Sequence, residues 1–354
     1  MVIIVIVVVG VVAYVGMQQA KPPSQVVQTA TSQLQTAPSV QKVDLILDLT
    51  PTGIVTPFYA GVDRGQFAKY GLQVNVLSNP QGSAGAIRAL AGHKVDFAEA
   101  DVGTLITLMA KENVTNVRAV ALYYSKNPMG VQYIIGKDRA VINTPKDLEG
   151  KTVASFTGNS GEVMFPVLCK ANGIDCSKIS IEHVTVPAMN QGLLSGKYDA
   201  VLLYNRNIAV LQPDATKQGL KVGNFAYKDY GVDTYANMIL TRTDIIQSNP
   251  DLVKRFIQGY EEALAYSIAN PAEAVASTLK YNQQLNLNVT RGEWDITAEL
   301  MGGKAVLNIK DPLMIGWIDP AKMSTTTAAV SAAYGVPVPN PSNLYTNQFV
   351  KQPQ

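Results

Sequence analysis

Acidic and hydroxyl side chains recur where short apolar runs give way to polar turns. Asp48 follows the run Val43–Leu47, with Thr50 and Thr52 in the loop beyond it and Tyr59 a few residues on. Glu99 and Asp101 follow Val95–Ala98, and Ser83 sits in the turn Gly82-Ser83-Ala84-Gly85 just upstream. Asn159, Ser160 and Glu162 follow Val153–Phe156, and Tyr204, Asn205 and Arg206 close the run that starts at Tyr198. Such residues can hydrogen-bond the polar edge of a small molecule. Glu162 lies in the first turn of its helix, where the dipole favours an ionised carboxylate able to accept from a cationic or amino-bearing group. The glycine-rich turns offer free N–H groups at helix starts. Helix capping is the alternative use of the same side chains. His93, at a helix exit, reads as a solvated terminal residue, and neither histidine stands at metal-ligand spacing from a cysteine. The sequence has no GxxxxGK[ST], HExxH or GxSxG, so no catalytic residue, metal or cofactor is expected.

Alternation of strand and helix must position these groups. Val43–Leu47, the helix carrying Phe58, Tyr59 and Val62, and Leu72–Leu77 make a βαβ unit. In open α/β sheets, ligands bind at the carboxyl ends of the strands. A second run of the same kind starts at Asn143, with Pro145 at a helix start and Val153–Phe156 as a strand. Gln132–Gly136 and Asn237–Thr241 read as strand-like crossings between two lobes. Beyond them the pattern is helical: Pro250–Ala269 repeats apolar residues at i, i+3, i+4 and i+7, and Tyr260 and Tyr266 on it read as core. The expected lobes are 43–133 plus 236–354, and 134–235, hinged around a cleft.

Composition narrows the function. The chain has 354 residues and a net charge of +2, with no basic run to bind nucleic acid. Residues 1–17 are an apolar run near the lower limit for a membrane span; no basic residues precede it, as expected if upstream residues are missing. A retained anchor is favoured over a cleaved signal peptide. Residues 18–42, rich in Gln, Thr, Ser, Ala and Pro, read as a flexible tether. Outside the cytoplasm, a disulfide between Cys169 and Cys176 is expected.

From residue 43 to about 336 the chain resembles the substrate-binding proteins of ABC importers, in particular the aliphatic-sulfonate and thiamine-pyrimidine-precursor binding family. The markers are Tyr59-Ala-Gly-Val-Asp-Arg-Gly-Gln-Phe, Ala89-Leu-Ala-Gly, Val95-Asp-Phe-Ala, Thr144-Pro-Lys-Asp-Leu-Glu-Gly-Lys-Thr-Val, Gly196-Lys-Tyr-Asp-Ala, Asn249-Pro-Asp-Leu-Val-Lys-Arg-Phe and Asn270-Pro-Ala-Glu-Ala. The resemblance implies a two-lobed periplasmic-binding-protein type II fold, a monomer, and permease and ATPase subunits as partners. It implies contacts to a flat aminopyrimidine from Asp48, Thr50, Tyr59, Glu162 and Tyr235. Asp48-Leu-Thr departs from the Asp-Trp or Asp-Phe start of those members, which removes one stacking ring. Sulfonate binders would use Ser83, Asn159 and Ser160 on an anion, but Asp48, Glu99, Asp101 and Glu162 make the cleft acidic, which favours a neutral or cationic heterocycle. A pyrimidine-phosphate synthase of the same fold would need a pocket histidine and a cysteine-rich motif; here the first loop carries no histidine and the two cysteines form no cluster. A surface module without transport is the third reading.

Overall fold

The computed structural model describes residues 40–303 and 315–352. The expected anchor, and the tether up to residue 39, lie outside the described residues. No helix among the described residues is long and apolar enough to cross a membrane.

Among the described residues, ten strands form two sheets of five. The first holds β1 (Gln41–Ile46), β2 (Leu72–Leu77), β3 (Phe97–Asp101), β4 (Val117–Leu122) and β10 (Asn237–Arg242) in the order β2-β1-β3-β10-β4. The second holds β5 (Met129–Ile135), β6 (Thr152–Ser155), β7 (Ser180–His183), β8 (Ala200–Tyr204) and β9 (Lys221–Ala226) in the order β7-β6-β8-β5-β9. The plan is the same in both: three parallel neighbours, then one antiparallel strand, β10 or β5. Parallel strands need helical crossovers, which is why both sheets are built from βα repeats.

Three expectations from the sequence shift. β1 begins at Gln41, inside the expected tether, because Gln41 pairs with Leu72 and its side chain accepts from Arg255 at 2.6 Å. β3 runs on through Glu99 to Asp101 because the antiparallel β10 pairs with that stretch, Asn237 opposite Asp101. The expected crossing at Gln132–Gly136 is displaced. β5 has its ladder partners in the second sheet, on β8 and β9, so the chain changes sheet before it, at residues 123–128. It returns at residues 227–236, ahead of β10.

The helices bury aromatic rings against the first sheet. Helix Pro250–Ala269 starts with Asn249 accepting from the Leu252 N–H and buries Phe256 and Tyr260. Phe256 stacks on Phe97 at 3.9 Å, and Tyr260 on Phe58 at 5.7 Å. Helix Leu287–Leu300 sets Trp294 fully inside and packs against the Gly53–Val55 turn. Helix Pro320–Tyr334 packs on both Val102–Glu112 and Phe165–Ala171. It therefore touches elements of either sheet.

Cys169 and Cys176 are joined in a disulfide around the exit of helix Phe165–Ala171. Closing so short a loop in the unfolded chain corresponds to about 2–3 kcal/mol. Reduction should lower the midpoint of denaturant unfolding by that order, and a C169S/C176S variant should lose its sensitivity to reductant.

Candidate functional site

The carboxyl ends of β1 and β3, with the start of β10 beside them in the same sheet, face the end of β8 across the junction of the two sheets. Asp48, Glu99 and Asp101 are brought together there, each 1% exposed or less. Asn237, the first residue of β10, donates its amide to Asp48 Oδ2 at 2.8 Å and to Glu99 Oε1 at 2.5 Å. Tyr204, the last residue of β8, donates its hydroxyl to the same Asp48 oxygen at 2.6 Å. Ser83, on helix Gly82–Ala91, accepts from the Asp101 N–H at 3.0 Å and meets Ser160 Oγ at 3.0 Å. The site is thus shared between the two halves.

The backbone also closes there. Gly82 and Gly158 have φ of +68° and +88°, and a Cβ on Gly82 would lie 2.2 Å from the Gly158 carbonyl oxygen. Only glycine permits both the conformation and the approach. A buried ion pair spans the junction further along. Arg206 Nη1 lies 2.5 Å from Glu293 Oε1, and Glu293 Oε2 accepts from the Gly53 N–H at 2.8 Å. Tyr334 adds a hydroxyl donated to the Val163 carbonyl.

Burial sets the electrostatics. Desolvation raises the carboxyl pKa of Asp48, against the lowering effect of the Tyr204 and Asn237 hydrogen bonds. It raises Glu99 well above the usual range, with the Asp48 charge acting in the same direction. Asp101 is pushed up to about 7 by burial, although Oδ1 accepts from Thr104 as the cap of helix Val102–Glu112. Asp48 Oδ1 and Asp101 Oδ2 are buried without a hydrogen-bond partner. Buried acceptors of that kind are expensive, and an incoming N–H donor would satisfy them.

Other expected residues are placed elsewhere. Thr50 is exposed and lines an inter-half groove of about 780 Å³, with Leu49 and Pro80 on one side and Phe156, His183 and Pro187 on the other. Glu162 is half-buried near the rim, with both carboxylate oxygens 2.9 Å from His183 Nε2. Tyr59 is buried and stacked on Tyr281 at 4.7 Å, and so belongs to the helical layer. Tyr235 is held by helix Pro320–Tyr334 and its approach: its N–H donates to Thr326 and its hydroxyl accepts from the Asp319 N–H. Asn205 accepts from Asn224 at 3.0 Å, within the second half. Asn159 caps its own turn, accepting from the Gly161 N–H and donating to the Leu202 carbonyl. Sequence reasoning missed Asn237 and Glu293. A polar residue opening the apolar run Asn237–Leu240 was the available signal for the first; no local pattern marks the second. Among the described residues, no group of three or more His, Cys, Asp or Glu could hold a metal ion.

The family description NMT1/THI5 like matches residues 53–274. The chain belongs to the NMT1/THI5-like family. Its relatives include the riboflavin-binding protein RibY of Chloroflexus aurantiacus, 23% identical over 261 residues, which are 73% of this chain and 72% of RibY. The formylaminopyrimidine-binding protein of Halalkalibacterium halodurans is 23% identical over 253 residues, 70% of this chain and 73% of its own. A 4-amino-5-hydroxymethyl-2-methylpyrimidine phosphate synthase of Saccharomyces cerevisiae is 22% identical over 258 residues, covering 70% and 73%. Among solved structures, the periplasmic aliphatic sulphonate binding protein SsuA of Escherichia coli superposes with a TM-score of 0.66 at 14% identity, over 89% of this chain and 94% of SsuA. The two-sheet architecture of this NMT1/THI5-like chain is therefore the periplasmic-binding-protein fold.

Two outcomes follow from the site's charges. An unfolded aspartate loses its proton near pH 4, whereas folded Asp101 keeps it to about pH 7. The folded chain binds more protons in that window, so stability should fall as pH rises from about 4 to about 7. D101N retains the cap and should show a shallower fall in denaturation midpoint. E293A strands buried Arg206 and should cost about 3–5 kcal/mol in chemical denaturation, with E293Q costing less.

Proposed function

We propose that this protein is an extracytoplasmic receptor that holds an amino-bearing heterocycle, such as a thiamine-related pyrimidine, between its two halves and delivers it unaltered to an ABC importer. The observation that carries the reading is the buried acidic cluster Asp48–Glu99–Asp101, with two acceptor oxygens lacking partners at the junction. A cluster of that sign attracts N–H donors and cations and repels sulfonate or nitrate. A groove of about 780 Å³ runs between the halves, lined by Leu49 and Thr50, which follow Asp48 in the chain, and also by Arg88 and His183; its size is one that takes small molecules. The names of the relatives support the reading: one binds formylaminopyrimidine and another riboflavin. A ligand-binding component of an ABC-type import system from Staphylococcus aureus shares the fold at a TM-score of 0.65 and 13% identity.

The halves, one built on each sheet, would swing apart about the crossings at residues 123–128 and 227–236 to admit the solute. Residues 1–17 would hold the monomeric receptor at the membrane, and the disulfide suits an oxidising compartment. Two or three charge-assisted hydrogen bonds at about 1.5–3 kcal/mol each, with about 1 kcal/mol from ring contact, approach the roughly −8 kcal/mol of micromolar binding. No reactive group is required.

A thermal-shift series with formylaminopyrimidine, riboflavin, taurine and nitrate tests this. Ligand at a hundredfold excess over Kd adds about 2.7 kcal/mol to the folded state. The midpoint should rise with an amino-bearing heterocycle and stay put with the anions. A rise with taurine or nitrate alone would replace the heterocycle with an anion, and chemical turnover of a bound compound would replace the receptor with an enzyme.

A further inference from the structure

We propose that Asp48 and Glu99 form a proton-binding site in their own right: one proton is held between the two carboxyl groups while the junction is closed and empty. This deepens the reading of the same site, and its test needs no solute.

The geometry leaves little alternative. The Asp48 N–H donates to Glu99 Oε2 at 3.3 Å, so the two carboxyl groups are set side by side at adjacent strand ends. One nitrogen, Asn237 Nδ2, bonds an oxygen of each, Asp48 Oδ2 and Glu99 Oε1, which keeps the two groups beside one another. Tyr204 also serves Asp48 Oδ2, which leaves Asp48 Oδ1 buried with no donor. Two buried ionised carboxylates held side by side repel; a single proton between them replaces the repulsion with a hydrogen bond.

The surroundings do not supply a substitute charge. Asp101, also on β3, adds like charge when ionised. Tyr123 and Tyr124, after β4, and Tyr260, from helix Pro250–Ala269, are buried phenols whose pKa is raised well above the ordinary value. Tyr204 is raised in the same way, by burial first and then by the Asp48 charge. Arg206 is the cation acting on Asp48, but its guanidinium is engaged by Glu293.

The pair consequently presents a donor and an acceptor together. That edge complements a heterocycle carrying a ring nitrogen next to an amino group, which can accept the acid proton and donate its own N–H. Opening the halves admits water, both carboxyl groups can then ionise, and the proton leaves to solvent. Closure over an empty site takes it back.

The experiment is a carboxyl-carbon NMR titration of the full ligand-free chain from pH 5 to pH 9, a window above the ordinary carboxylate pKa of about 4. It compares D101N, chosen to remove the Asp101 titration, with D101N/E99Q and D101N/D48N. The expected result is one proton shared by the two carboxyl resonances at pH 7, lost in a single coupled step. In E99Q that step disappears and Asp48 titrates alone. Full ionisation of both groups at pH 7 overturns the proposal, as does a step that persists unchanged in E99Q.

Unfolding equilibria provide a second reading. With D101N alone, the folded-to-unfolded ratio should fall about tenfold per pH unit where only the folded chain carries the shared proton. With E99Q that slope should be absent, and equal slopes in the two would also overturn the proposal. If no compound in the solute series binds, the receptor reading fails while the titration still decides the proton site.

Discussion

Burial of like charge at the junction is the constraint on which the other features depend. Asp48, Glu99 and Asp101 come to one place because parallel strands β1 and β3 end side by side. Desolvating three carboxyl groups costs far more than a surface contact returns, unless hydrogen bonds or protons compensate. Compensation comes from across the sheet and across the junction: Asn237 from the antiparallel β10, Tyr204 from β8. Only the Tyr204 bond crosses the junction; Asn237 lies on β10, in the same sheet as β1 and β3, so its bonds belong to the first half. Compensation for the buried charge is therefore partly built into the first sheet and partly dependent on the second half lying against it.

Duplication of the sheet plan explains why the compensating groups are available. Each sheet ends its parallel run beside an antiparallel strand that the chain reaches by crossing from the other sheet. The crossings at residues 123–128 and 227–236 therefore lie next to the strand ends where side chains gather. Tyr124 follows one crossing's start and Asn237 the other's end. A connection of this kind can bend without breaking either ladder, since the ladders of β5 and β10 each lie within one sheet. Motion and recognition then share the same short segments.

How much of this was legible in the sequence differs by residue. Leu72–Leu77 alternates with period two and is found as a strand with those bounds. Pro250–Ala269 shows its apolar stripe, cap and proline, and is found as a helix over the same residues. Asp48, Glu99 and Asp101 are marked by strand-end position, Ser83 and Ser160 by polar turns at helix starts, and they do meet. Tyr59 and Tyr235 have the same kind of local signal yet turn into helical packing, because the direction of a side chain depends on partners such as Tyr281 and Thr326 that are far off in the chain. Arg206 and Glu293 are 87 residues apart, and only the tertiary fold makes them a pair. The length of β3 was hidden for the same reason: its last residues are strand only because β10 pairs with them.

Glu162 sharpens the distinction between a charged residue near a cleft and one in it. Its place in the first turn of a helix gives it the same weight as Asp48 when only the sequence is read. In the fold it faces His183 near the rim, half in solvent, where water screens its field. Asp48 has no such screening, so the same charge acts several times more strongly on whatever lies against it. Recognition by the deep cluster and a screened contact at the rim are separable physical effects. The first selects for donors, and the second ties β7 to the helix start at the cleft edge.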